Sequence, residues 1–309
     1  MVKFHCKSLK YQEKKMFADA IEKVGGFTRP IKFISRIYKD NVISPGCATM
    51  FFINEDGWAL TCKHVANEVI AADKINLRFS QFKASMAELS GNPKAKAMTR
   101  GLEQKYELGP KKLAQMKVQF PDCVDKFSEI DINVHPEYDL ALLHFKGFNR
   151  ILYHGHAVFA KDSSAIRPGD TLVRLGFPFP EFTDFGYNQE LDDISWTKGR
   201  SSTPRFPIDG MYTRGVANKD GKIVGIELSS PGLRGQSGGP LFDTDGKIYG
   251  MQSLTKHLHL GFDMINEHMV INGRPQVINN QPFLHVGHCV HVDVIKEFLD
   301  GHHLKYYTE

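Results

Sequence analysis

The sequence predicts an all-β fold of the barrel type. Short apolar runs of strand length recur along the chain between turn signals, and Asp-Gly pairs at residues 220–221 and 245–246 are typical of hairpins. The chain has 309 residues, which is enough for two domains of ordinary size. The predicted strands occupy residues 31–37, 48–53, 58–61, 140–145, 171–175, 223–228 and 248–253.

Helical spacing interrupts this pattern between residues 80 and 120. Apolar side chains recur there at roughly helical intervals, with breaks at residues 91–93 and 109–110. We therefore expect a helical hairpin inserted in the first half of the fold. Its apolar positions are Phe82, Met86, Leu89, Met98, Leu102, Tyr106, Leu113 and Met116.

The same insertion is strongly basic. It contains eight Lys or Arg residues and three Glu residues, an excess of five, whereas the whole chain has a net charge of +4. Such a surface is typical of lysines on a solvated helix, which need no partner; the alternative is a docking surface for an acidic protein regulator. The insertion lacks the aromatic and Arg-rich pattern of nucleic-acid readers, so nucleic-acid binding is not expected.

The two ends of the chain and one late segment have distinct compositions. Residues 11–24 form a basic amphipathic segment, and the N-terminus has neither the apolar core of a secretory signal nor a window of transmembrane length. Residues 293–299 predict a capped C-terminal helix. The Asn-rich residues 262–282 predict a long loop, either a regulatory or substrate-contacting loop or a plain surface excursion.

Cysteine usage indicates a reducing compartment. The five cysteines are an odd number and do not form a disulfide framework. We therefore expect a cytoplasmic protein without membrane association. The cysteines are Cys6, Cys47, Cys62, Cys123 and Cys289.

A run of histidines at residues 285–291 invites a metal interpretation. Strand alternation places His285, Cys289 and His291 on one face and His288 on the other. Because a strand does not easily converge such side chains on one ion, no metal site is expected.

The most informative pattern is the glycine-rich turn at residues 234–241. Ser237 lies there between small residues, and a turn of this kind can present a nucleophile. The glycines allow the N–H groups of Gly235 and Ser237 to point at one position beside the hydroxyl, which would form an oxyanion hole. The alternative is a glycine hairpin whose serine only caps a turn.

A nucleophilic serine needs a base and an orienting carboxylate. His64 ends a strand-like apolar run, and Asp139 stands where a polar loop passes into another apolar run. Each residue alone is as typical of a core histidine or a strand-capping acid. Together with Ser237 they form a candidate His-Asp-Ser triad.

The order His, Asp, Ser along the chain resembles that of the trypsin-like serine peptidases. A series of further motifs, in the same order, is similar to the HtrA type within that group. These motifs lie at residues 139–143, 162–170, 176–178, 235–241 and 245–250.

The resemblance implies two packed antiparallel β-barrels with the active site between them. Residues 1–155 are then the N-terminal barrel with the insertion at about 80–120, and residues 156–309 the C-terminal barrel ending in a helix. It also implies peptide-bond hydrolysis through an acyl-enzyme on Ser237, without a metal or organic cofactor. HtrA proteins usually continue into PDZ modules, and none is expected here.

The resemblance also identifies candidate pocket residues. Pro231 stands where trypsins carry the Asp that selects Lys or Arg. The mostly uncharged walls predict a small or medium apolar side chain before the scissile bond. The candidate walls are Pro231, Leu233, Gln252, Ser253 and Leu254.

Regulation is expected without zymogen cleavage. Gln236 stands where pancreatic-type trypsins have an Asp that pairs with a newly cut N-terminus, and Gln236 cannot form that ion pair. We therefore expect a single-chain, cytosolic bacterial serine protease switched by ordering of its active-site loops. Two alternatives stay open: a highly specific processing protease of a defence or stress system, and a peptidase-fold binding protein with little turnover.

Overall fold

The computed structural model describes residues 17–89, 95–271 and 273–309. Its fold is mostly β with two barrel-like sheets, as the sequence predicts. The first sheet contains β1 (Thr28–Ile37), β2 (Ile43–Phe52), β3 (Trp58–Thr61), β4 (Leu113–Gln119), β5 (Glu129–Val134) and β6 (Ala141–Lys146), in the order β4-β1-β2-β3-β6-β5.

The second half of the chain forms the second sheet, a short ribbon and a long hairpin. Its strands are β7 (Val158–Phe159), β8 (Thr171–Gly176), β9 (Phe185–Asn188), β10 (Asp193–Trp196), β11 (Phe206–Ala217), β12 (Ile223–Leu228), β13 (Pro240–Phe242), β14 (Lys247–His259), β15 (Met264–Ile271), β16 (Arg274–Asn280), β17 (Phe283–His291) and β18 (Tyr307–Thr308). The second sheet has the order β13-β8-β11-β12-β17-β14-β7-β18, and β13 also pairs with β14. This last pairing closes the strands from β13 to β14 into a ring.

The helices are α1 (Phe17–Gly25), α2 (Lys63–Glu88), α3 (Ala95–Lys105) and α4 (Val292–Gly301), with a short 3-10 turn at Ser163–Ala165. Helix α4 confirms the expected C-terminal helix, and the His291 side chain caps it by accepting from the Asp293 N–H. Helix α1 overlaps the second part of the amphipathic segment at residues 11–24, whose first part is outside the described residues. No helix in the described ranges is long and apolar enough to cross a membrane.

The predicted insertion is helical only in part. Its first helix begins well before residue 80, since α2 starts directly after Cys62 and runs for 26 residues. The prediction of helix at Leu113 and Met116 is wrong, because these residues belong to β4, which pairs with β1. Their spacing is compatible with a helix or with a strand. They form a strand because the edge of β1 that does not pair with β2 is available to pair with them.

The prediction of a loop at residues 262–282 is also wrong. Strands β15 and β16 form an antiparallel hairpin there, with Gly273 at a positive φ of 75° in the turn. Its β-branched residues favour strands even though both faces meet solvent. Ile265 and Val270, for example, are 65% and 72% exposed.

The core joins the two halves of the chain and fixes the cleft between them. Phe51 and Leu142 of the first sheet and Phe242 and Met251 of the second belong to one cluster of buried side chains. The proposed division at residues 155–156 stays a prediction. Cleft residues from both sheets are thus held on one packed support.

Candidate active site

His64 is positioned by the start of α2. Strand β3 ends at Thr61, and Cys62 is the helix N-cap residue without a side-chain cap. The first N–H groups of a helix have no partner within the helix. Here the His64 N–H donates to Asp139 Oδ1 at 3.0 Å, so the carboxylate of Asp139 caps the helix that carries the histidine.

The imidazole and this carboxylate form a close pair. His64 Nδ1 lies 2.9 Å from Asp139 Oδ2 and 3.0 Å from Oδ1, and Ser253 Oγ donates to Oδ2 at 2.6 Å. Burial opposes ionisation of Asp139, but the hydrogen bonds from His64 and Ser253 outweigh it and hold its pKa well below the usual range. The same hydrogen bond with Asp139 raises the pKa of His64, against the opposing effect of burial.

Ser237 lies in the same cleft as His64. The Ser237 hydroxyl donates to the Ser253 carbonyl at 3.3 Å instead of to the imidazole. Ser253 therefore contacts two of the three candidate triad residues, through its hydroxyl to Asp139 and through its carbonyl to Ser237. The sequence analysis assigned Ser253 only to the pocket wall.

The glycine turn is held against the first sheet by Thr49. The Thr49 N–H donates to the Ser237 carbonyl at 2.9 Å, and Thr49 Oγ1 donates to the Gly235 carbonyl at 2.7 Å. Gly238 has a φ of 85°, and a Cβ there would lie 2.0 Å from the Thr49 carbonyl oxygen. Only glycine permits this close approach.

Gln236 supports the turn from the other side. Its fully buried amide accepts from the Leu233 N–H at 3.0 Å and donates to the Phe206 carbonyl at 3.1 Å. Gly235 has a positive φ of 95°. Among the described residues, neither the Gly235 nor the Ser237 N–H donates to a protein acceptor. These two donors are available beside the Ser237 hydroxyl.

The cleft around Ser237 has a volume of about 620 Å³. Leu233 lies in one wall, and Gln252, Ser253 and Leu254 lie in the other. Pro231 lies outside this lining, and its carbonyl accepts from the guanidinium of Arg174 at 3.1 Å. The walls are joined where Thr255 Oγ1 donates to the Gly232 carbonyl at 2.8 Å.

The sequence analysis missed Thr49 and Arg174. Thr49 carries no motif, because its contact with the turn depends on tertiary packing. Arg174 had a signal, since it is a lone cation in the apolar strand β8. A charged residue at such a position is rarely buried without a specific role.

Two groups of side chains bear on metal binding, of which the sequence analysis considered only the run at residues 285–291. Within the described ranges, Cys62, His64 and Asp139 bring potential ligand atoms within 4.8 Å of one another. His64 and Asp139 are already bonded to each other, and Cys62 Sγ donates to the Gln252 carbonyl at 3.1 Å. In the run at residues 285–291, His285 contacts His257 whereas His291 caps α4, so these side chains point to different places.

Comparisons with known proteins agree with this architecture. The family model of the trypsin-like peptidase domain matches residues 48–251, more than half of the chain. No curated protein sequence matches the chain.

Solved structures that match the chain include two of an HtrA-type protease. The structure titled HtrA-type protease AlgW with tripeptide has a TM-score of 0.46 and 15% identity over 93% of this chain and 63% of that chain. The structure of AlgW with decapeptide gives the same TM-score and identity, over 93% of this chain and 67% of that chain. The present chain thus spans less than two thirds of the AlgW chain with tripeptide.

Proposed function

Because the chain belongs to the trypsin-like peptidase domain family, we propose that it is a serine endopeptidase with Ser237 as nucleophile, His64 as general base and Asp139 as orienting carboxylate. One observation carries this proposal: a histidine held through Nδ1 by a partly buried carboxylate shares a cleft with a serine on a glycine turn. That arrangement leaves His64 Nε2 to accept the hydroxyl proton.

The proposed reaction uses each group at a defined step. Ser237 Oγ attacks the substrate carbonyl while His64 Nε2 takes the hydroxyl proton and later gives it to the leaving amine. The Gly235 and Ser237 N–H groups stabilise the oxyanion. Asp139 stays ionised, as its lowered pKa requires, and stabilises the imidazolium. Water then hydrolyses the acyl-enzyme by the same route.

Substrate attack requires one local change. The Ser237 hydroxyl must turn from the Ser253 carbonyl toward His64. We therefore propose a regulated enzyme whose site completes when substrate or a protein regulator binds. The basic surface of the insertion is the proposed regulator contact, and Gln236 holds the turn without a cut N-terminus.

We also propose a cytoplasmic location. The four described cysteines, Cys47, Cys62, Cys123 and Cys289, are free thiols, as is usual in reducing compartments. Cys6 lies outside the described residues.

A second candidate function is peptide binding with little turnover. It is favoured by the hydrogen bond that directs the Ser237 hydroxyl to Ser253 instead of to His64. A highly specific processing protease would share this resting geometry, because a single partner could complete the site.

Labelling with a fluorophosphonate separates these functions. The reagent reacts with a serine activated by its base and oxyanion hole, so we expect intact-mass analysis to find one adduct on the wild type and none on Ser237→Ala. Failure to label the wild type would favour the binding protein. Labelling without hydrolysis of casein would favour the specific processing protease.

Thr49→Val tests whether the first sheet holds the oxyanion turn. Valine keeps the shape but leaves the Gly235 carbonyl and the Phe177 N–H without their hydroxyl partner. We expect the free energy of unfolding to fall by about 1–3 kcal/mol and the labelling rate constant to fall at least about tenfold.

Thr28→Val is the matched control for this change. Thr28 is also buried, and its hydroxyl donates to the Val24 carbonyl at 2.8 Å, away from the glycine turn. It should lose similar stability and keep the wild-type labelling rate. Equal labelling rates for the two variants would show that Thr49 does not position the turn.

A further inference from the structure

Arg174 lies beneath the cleft, between its two walls. Its guanidinium donates to the Ser230 and Pro231 carbonyls, each at 3.1 Å, at the start of one wall. It also donates to Gln252 Oε1 at 2.8 Å in the other wall and to Ser230 Oγ at 2.5 Å. Gly287 makes room for it, because a Cβ there would lie 2.2 Å from Nη1.

This cation is buried without an anion. Arg174 is 0% exposed, and among the described residues none of its hydrogen-bond acceptors is a carboxylate. All its acceptors are neutral oxygens, and Nε has no acceptor. Burial lowers its pKa, and the influence of Cys289 and Asp209 only partly opposes this. An arginine nonetheless stays protonated in proteins, so the buried charge lacks compensation.

The side chain of Gln252 connects Arg174 to the cleft. Gln252 lines the cleft, and its amide accepts from Arg174 through Oε1 and donates to the Leu254 carbonyl through Nε2 at 2.9 Å. Gly232 provides the space for this amide, since a Cβ there would lie 2.4 Å from Nε2. A neutral amide, bonded at both ends, is therefore the group through which Arg174 reaches the cleft lining.

The charges at the cleft surface are mixed. Arg234 is exposed in the wall beside Gly235, and Glu68 lies on α2 beside His64. Glu68 contributes to the raised pKa of His64, so it acts on the catalytic side of the cleft. Arg234 is next to the wall that leads to Arg174, and the pocket side of the cleft is therefore positive.

We propose that Arg174 determines specificity and that the pocket takes an acidic side chain, Asp or Glu, before the scissile bond. The substrate carboxylate displaces the Gln252 amide and accepts charge-assisted hydrogen bonds from the guanidinium, which are stronger than those to a neutral amide. A Lys or Arg side chain is repelled by Arg174, and an apolar side chain gives the cation no partner. This inference rests on the proposed function and replaces the apolar preference expected from the wall residues.

Peptide binding to the Ser237→Ala variant tests the pocket without turnover. The probes are fluorescein-labelled acetyl-Ala-Ala-Ala-X-Ala-Ala peptides in which X is Glu, Gln, Leu or Lys, titrated by fluorescence anisotropy. We expect the Glu peptide to bind at least about tenfold more tightly than the Gln peptide, because hydrogen bonds to charged groups contribute more than neutral ones. Equal or tighter binding of the Gln, Leu or Lys peptide would overturn the proposal.

Variants of Gln252 and Arg174, made in the Ser237→Ala background, identify the residue responsible for the preference for Glu. Gln252→Glu gives Arg174 an internal carboxylate and should remove the preference for Glu over Gln, whereas Gln252→Ala opens the floor and should keep it. Arg174→Met should also remove it. Because Arg174→Met removes a buried hydrogen-bonding group and thereby also lowers the stability of the fold, the two Gln252 variants provide the independent test. A Glu preference that persists in Gln252→Glu would contradict the role of Arg174.

The outcome is separable from that of the proposed function. Binding to Ser237→Ala does not require catalysis, and fluorophosphonate labelling of the wild type does not require an acidic side chain. A Glu preference without labelling would support the pocket and reject the peptidase. Labelling without a Glu preference would support the peptidase and reject the acidic pocket.

Discussion

Replacing Ser237 with Ala is expected to lower kcat for hydrolysis of an internally quenched peptide library by about 10⁶-fold. The substitution removes the nucleophile, while the two N–H donors of the turn and the cleft walls remain in place. The Ser237 side chain makes a single hydrogen bond in the described part of the chain, to the Ser253 carbonyl at 3.3 Å. Its loss should therefore cost little stability, and the variant should fold.

A p-nitrophenyl ester supplies the direct readout. The wild type should release a burst of p-nitrophenolate equal to the enzyme concentration, because acylation precedes slower deacylation. Ser237→Ala should show no burst. Ser128→Ala is the control, since Ser128 has an exposed hydroxyl whose hydrogen bond, to the Lys146 carbonyl, is far from the cleft. A burst of wild-type amplitude in Ser237→Ala would mean that another residue is acylated.

Sequence reasoning located the candidate triad because each member stands at a local transition that the sequence reveals. His64 follows the end of β3 and begins α2, Asp139 precedes β6, and Ser237 lies in a turn rich in glycine. Strand ends, helix starts and glycine turns each depend on a few neighbouring residues. The fold class followed from the same signals repeated along the chain.

The supporting contacts were not accessible in this way because they join distant parts of the chain. Ser253 and Asp139 are 114 residues apart, and Thr49 and Gly235 are 186 residues apart. Local sequence patterns do not indicate which distant acceptor a given hydroxyl contacts. Leu113 and Met116 show the same limit, since the available edge of β1 makes a strand of residues whose spacing also suits a helix.

Arg174 shows how a sequence signal can be present and still be missed. The uncharged wall residues predicted an apolar pocket, and the proposed acidic preference depends instead on a residue of β8, which the turn motif does not include. The guanidinium contacts Ser230, Pro231 and Gln252 across the sheet that closes through β13 and β14. Pocket chemistry therefore follows from sheet closure as well as from the residues that line the cleft.

Asp139→Asn is expected to lower kcat on the same peptide library by about 10⁴-fold. Asp139 accepts from three donors: His64 Nδ1, the His64 N–H and Ser253 Oγ. An amide has one acceptor oxygen, and its NH₂ group can donate to His64 Nδ1. The imidazole would then carry its proton on Nε2 and could not accept the proton of Ser237.

The pH dependence of the fluorophosphonate labelling rate provides an independent readout of this pair. The neutral imidazole is the active base, so labelling by the wild type should be lost as the pH falls through the His64 pKa, which the hydrogen bond with Asp139 raises. Asp139→Asn removes the cause of that increase. The acid limb of its pH–rate profile, where labelling is lost on acidification, should therefore move to lower pH, and its maximal labelling rate should fall.

Asp125→Asn is the control for removing a carboxylate. Asp125 accepts from the backbone N–H groups of Lys126, Asn149 and Arg150, and it lies outside the cleft lining. Its loss should reduce stability and leave both the labelling rate and the acid limb unchanged. An unchanged acid limb in Asp139→Asn would mean that Asp139 does not set the pKa of the base. A fall in rate without a shift of the limb would then point to lost capping of α2, because the Asp139 carboxylate also accepts from the His64 N–H.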